Sequence, residues 1–157
     1  GSQIVSPYFG LGYRFLNQTG GGLTTSTGAV MYDRQSTYLY IPVGLKQRSL
    51  TGDGGMLESR FELDYLVSGN QFSGLSVMNN FGYTSSNDIN NRQTSGYGLN
   101  ASVMYKRPDG WSLGPYWKYW NISKSDLGTW TYTSGSTSVY EPANTTEEFG
   151  FKALYQF

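Results

Sequence analysis

The stretch LESRFELDYLV sets Glu58, Glu62 and Asp64 at even positions, with Arg60 among them. In an extended chain, side chains two residues apart share a face, so these carboxylates are neighbours. Acids on one face can share a proton or hold a hard cation such as calcium. The competing reading is structural. Arg14, Lys46, Arg60, Lys106, Lys118 and Lys152 occupy the charged faces of their own segments, as does Glu148. Opposite charges then satisfy one another where isolated charges would be costly to bury. Ion pairing is the expectation, with no metal site and no cofactor. The sequence has no histidine and no cysteine. Without histidine the chain lacks the side chain whose ordinary pKa suits proton transfer near neutrality, and without cysteine it lacks disulfides and thiol chemistry. No catalytic residue is expected. Lysine or paired carboxylates remain as bases for an enzyme.

The elements that must position these charges show period-two alternation over residues 7–17, 36–48, 57–69, 96–106, 111–122 and 146–157. The first sets Phe9, Leu11, Tyr13 and Phe15 against Gly10, Gly12 and Arg14. The third sets Leu57, Phe61, Leu63, Tyr65 and Val67 against its charges. The last carries Phe149, Phe151, Tyr155 and Phe157 on one face. A frayed terminus keeps few large apolar groups, so this ending reads as a strand held in a sheet. The apolar face is expected to carry no charge, with Ser59 as its polar exception. Pro42 and Pro115 fall inside strands, where each forfeits a ladder hydrogen bond and marks a bulge or an edge.

Composition narrows the class. Charged residues are 14% of the 157, against roughly a quarter in soluble domains, while aromatics reach 17% and glycine numbers 21. No window approaches the roughly 18 consecutive apolar residues of a spanning helix. No signal-peptide pattern opens the chain, so an exported form is expected to have lost its signal. Eleven basic residues balance eleven acidic ones, which argues against a nucleic-acid partner. Residues 1–157 read as one domain.

The connections alternate between short and long. SLTGDGG and RPDG are tight links, whereas residues 17–35, 69–94 and 123–145 are long and polar. With strands near the roughly 9–11 residues that cross a bilayer at a tilt, this asymmetry predicts an all-β, antiparallel, up-and-down transmembrane β-barrel with its apolar face toward lipid. A soluble barrel binding an apolar ligand also alternates and stands as an alternative. Tyr38, Tyr40, Tyr116 and Trp120 face inward and narrow the interior, which weighs against the other alternative, a small porin or channel.

The C-terminal aromatic strand, the charged even face and the loop asymmetry together resemble small bacterial outer-membrane β-barrel proteins of the general OmpA or OmpX type. The resemblance is architectural and spans all six strands. It implies an outer-membrane location, and a signal at Phe151, Tyr155 and Phe157 read by the barrel-assembly machinery. It also implies eight strands where six are visible. The favoured explanation is two further strands preceding the chain. The alternatives are an irregular hairpin inside NQFSGLSVMNNFGYTSS, or several chains completing one barrel. Enzymes of similar architecture use histidine, which this sequence lacks. The expected function is a membrane anchor displaying long loops for surface recognition or shielding, with Tyr83, Trp130, Tyr132 and Tyr140 as loop aromatics available to an extracellular ligand or host surface.

Overall fold

The computed structural model describes residues 3–156, so Phe157 of the expected C-terminal signal lies outside the described residues. The chain is all-β and antiparallel. Its strands are β1 (Gln3–Phe9), β2 (Gly12–Gln18), β3 (Arg34–Leu50), β4 (Met56–Ser73), β5 (Ile89–Gln93), β6 (Gly96–Lys106), β7 (Trp111–Ile122), β8 (Gly128–Tyr132), β9 (Gly135–Val139) and β10 (Asn144–Tyr155). One sheet runs β1-β3-β4-β6-β7-β10, with β2 also on β3 and β5 also on β4, and β8-β9 forms a separate hairpin. Neighbours in the main sheet are joined in sequence order, as in a meander.

The expected closed barrel is corrected here. Among the described residues no ladder joins β10 to β1 or β2, and the sheet curls without closing. An interior of eight strands is just wide enough to be filled by side chains. Six strands drawn into a ring would leave too little room for the inward rings of Tyr8, Tyr40, Tyr116 and Trp120.

Two prolines interrupt the ladders. Phe9 pairs with Val43 and Gly12 with Tyr40 in one unbroken register, but the pairing lapses opposite Pro42, which has no N–H to give. The expected first strand, 7–17, is therefore longer and split into β1 and β2. Pro115 acts likewise on β6, where pairing lapses between Ser102–Tyr116 and Tyr105–Leu113. There the strands press together, because a Cβ on Gly114 would run into the Val103 carbonyl. The tight links fold as expected, with Gly110 at φ +93° closing the RPDG turn.

A register shift at Leu39/Tyr40 bulges β4 around Val67. It changes which parity faces inward, so Glu62, Asp64 and Leu66 are buried before the bulge and Gln71 and Ser73 after it. The β4 strand consequently extends past 69. The segment suggested as a hidden hairpin forms the end of β4 and a short 3₁₀ helix, Leu75–Phe81.

The concave face is packed by aromatic–glycine pairs. Tyr8 lies directly across from Gly44, Tyr40 from Gly12, Tyr38 from Gly69, Trp120 from Gly98 and Tyr116 from Gly150. At each of these glycines an added Cβ would crowd the opposing ring. Glycine makes the room and the ring covers the bare backbone.

Candidate functional site

The concave face gathers the charges that alternation predicted. Near the short turns, Glu58 accepts hydrogen bonds from Arg48 Nε at 2.7 Å and Lys106 Nζ at 2.9 Å. In the middle, Arg60 pairs with Glu62, and the Tyr8 hydroxyl donates to Glu62 Oε2 at 2.8 Å while accepting from Arg60. Asn100 Nδ2 spans the two neighbouring acids, reaching Glu62 Oε1 at 3.1 Å and Asp64 Oδ2 at 2.6 Å. Asp64 is 1% exposed, and its other oxygen has no hydrogen-bond partner. Glu148 accepts from the Tyr116 hydroxyl at 2.7 Å. Among the described residues these acids form no group that could hold a metal ion.

The remaining inward cations are solvated differently. Among the described residues no carboxylate lies within ion-pair reach of Arg14, Lys46, Lys118 or Lys152. Arg14 instead sits 5.4 Å from the Trp120 ring, Lys46 4.9 Å from Tyr8, Lys118 5.7 Å and Lys152 4.5 Å from Tyr116. Ring faces attract cations through their quadrupole. The near-balanced set of ion pairs expected from the sequence is thus only partly formed, and cation–π contacts serve the rest. Sequence reasoning also missed Arg48, Tyr8 and Asn100. Arg48 shares the parity of Lys46, and Tyr8 that of Gly10, Gly12 and Arg14, so both carried a signal.

A polar cavity of about 380 Å³ lies between the curled edges, lined by Arg14, Glu62, Asp64, Lys118, Glu148 and Lys152 among others. Toward the long loops it meets a buried cluster of Tyr38, Leu66, Trp120 and Ile122, with Tyr40 edge-on to Trp120 at 5.1 Å. The Tyr38 hydroxyl donates to Gln93, whose amide donates to the Ser123 carbonyl at 3.1 Å.

The convex face is apolar and open. Phe9 is 84%, Phe149 82% and Phe151 85% exposed. Trp117, Tyr119 and Tyr97 neighbour one another toward the loop end, and Trp111 meets Tyr155 at 5.2 Å toward the turn end. One correction applies: Glu147 lies on this face, where its carboxylate accepts from Trp117 Nε1 at 2.7 Å. Expected to be free of charge, the face carries this acid at its loop-side margin, held by Trp117.

Three of the four loop aromatics come together. Tyr83 lies 5.6 Å from Trp130 and 6.0 Å from Tyr132, and Trp130 lies 4.7 Å from Tyr132. The β8–β9 hairpin is tied to the preceding loop by Trp130 Nε1 donating to Ser86 at 2.7 Å, and by Thr131 N donating to Asn87 at 2.6 Å. Tyr140 stands apart from this group and is exposed. Glu141 instead pairs with Arg34. Outside the strands, the backbone N–H groups of Gly21 and Gly20 hold the Asp33 carboxyl below the usual carboxylate range. The Thr51 hydroxyl, then Tyr105 and Gly55 N–H, bring Asp53 down to about 2.

No protein-family model matches the chain, and no curated protein matches it.

Proposed function

We propose that this chain is a membrane-spanning, non-enzymatic β-structure of the bacterial outer-membrane type, anchoring long loops that recognise or shield at the cell surface. The observation that carries the reading is the inversion of its two faces. The covered face bears Glu62, Asp64 and their partners, and the open face bears phenylalanine, leucine and valine. A soluble sheet buries its apolar face and wets the other. A lipid-facing sheet reverses this, with aromatic girdles bounding the apolar band. Tyr97 and Tyr105, on the outward face of β6, stand about 26 Å apart along the strand at ~3.3 Å per residue, which a strand tilt of roughly 40° reduces to about 20 Å along the membrane normal, inside the roughly 25 Å band of such proteins.

The plug of Tyr38, Leu66, Trp120 and Ile122 favours a closed interior over a channel. Absent histidine supports the non-enzymatic reading. Phe151 and Tyr155 keep their proposed role as a signal to the assembly machinery. The test is folding with and without detergent, followed by circular dichroism and by gel mobility before and after boiling. Heat-modifiable β-structure that forms only in detergent or lipid is expected. A soluble, monomeric β-fold in plain buffer would overturn the membrane reading and make the apolar face a binding surface.

A further inference from the structure

Among the described residues, both margins of the main sheet lack a neighbouring strand along most of their length. The β1/β2 edge and β10 each pair on one side only, so each presents a row of ladder N–H and C=O groups. Resting on the membrane reading above, those groups cannot stay open, since hydrocarbon offers them no hydrogen bonds. We propose that the seam is a docking site for a β-hairpin whose outward side chains are apolar and whose inward side chains are carboxylates placed to meet Arg14 and Lys152.

Direction sets the number of strands. Alternation through the meander leaves β10 antiparallel to the β1/β2 edge. Only an even number of inserted strands keeps every pair antiparallel, and with direct closure excluded by the inward rings, two is the smallest such number. Two also bring the sheet to the eight strands whose interior side chains can fill. The outward apolar requirement follows from Phe9 and Phe151, which flank the seam and are among its most exposed side chains.

Charge sets the inward chemistry. Arg14 stands on one margin and Lys152 on the other, and among the described residues neither has a carboxylate within ion-pair reach. Inward-facing cations outnumber inward carboxylates across the whole sheet, even with Arg48 and Lys106 sharing Glu58. Direct cross-strand opposite charges stabilise a sheet, and like charges destabilise it. A second copy of this chain, docked edge to edge, would bring Glu148 to the seam but also its own surplus of inward cations, so it leaves the deficit of acids unfilled.

The test uses the full chain in detergent micelles with two synthetic hairpins. They share apolar outward residues and differ only in glutamate or lysine at the inward positions facing Arg14 and Lys152. The glutamate hairpin is expected to form a one-to-one complex at least about tenfold tighter than the lysine hairpin, and Arg14→Ala with Lys152→Ala should shrink that preference to about twofold. If the chain folds only when the glutamate hairpin is present, the proposal is equally supported. Equal uptake of both hairpins, uptake of neither, or a dimer of this chain that excludes both would overturn it. A chain that is soluble and monomeric in buffer fails the membrane reading itself, a separate result from detergent-folded chain without acid preference.

Discussion

Leu63→Arg separates the two environments the convex face could meet. Leu63 lies near the middle of the outward run from Leu57 to Val67, flanked in register by Val43 and Leu99, and is 46% exposed. In water, an arginine at a half-exposed strand position falls among surface substitutions, usually within about 0.5 kcal/mol. At the midplane of a bilayer the same change in a barrel costs roughly 2–4 kcal/mol. That corresponds to roughly 30- to 900-fold in the folding equilibrium. Leu23→Arg, in an exposed loop, is the control and should stay within about 0.5 kcal/mol. Denaturant unfolding in lipid vesicles, read by tryptophan fluorescence and gel mobility, measures both. Equal stabilities for the two variants would refute the assignment of the convex face to lipid.

Gly98→Val should destabilise by about 1–3 kcal/mol in the same assay, because a Cβ there would lie 2.8 Å from Trp120 and 3.0 Å from Asp64. A neutral result would show that the ring opposite is free to move. Asp53→Asn tests the short turn. The Asp53 carboxyl, held at about 2, is below its unfolded value near ~3.9, so its stabilisation is present above about pH 4 and is lost as pH falls toward 2. The substitution should flatten the unfolding midpoint over that window and leave the midpoint's pH dependence above it unchanged. Trp130→Ala should speed proteolysis of the loop preceding β5 and of the β8–β9 hairpin, since it removes the bond to Ser86 and two ring contacts. Heat-modifiable mobility should be unchanged, and loss of both together would make the loops part of the sheet's own stability.

The strands were legible because the period-two signal depends on single residues. β6 and β7 have the bounds expected from the sequence, and the charges of β4 up to Asp64 share the buried face as alternation requires. What escaped depends on pairs. Pro42 visibly forfeits a hydrogen bond, but that it splits the first strand is knowable only once Phe9 is set opposite Val43. The parity change at Val67 escaped for the same reason, and with it the inward polar residues Gln71, Asn91 and Gln93. The loops were legible as long and polar. Their joining through Asn87 and Ser86 is a long-range contact with no local periodicity to announce it.

The aromatic–glycine pairs connect this register to the electrostatics of the concave face. A narrow, curled sheet has little inward volume, so each large ring there needs a bare backbone opposite. That condition selects Gly12, Gly44, Gly69, Gly98 and Gly150. Four of the rings thus seated, Tyr8, Tyr38, Tyr116 and Trp120, lie against Lys46, Lys118, Lys152 or Arg14. Such contacts are worth about 0.5–1 kcal/mol when exposed and about 2 when desolvated. They can hold a cation in a partly wet cavity. They do not match a carboxylate once water is excluded, because desolvating a charge costs several kcal/mol. The imbalance is therefore tolerable while the seam is open and becomes costly when it is covered, so whatever closes this sheet should carry the missing acids at the margins where Arg14 and Lys152 stand.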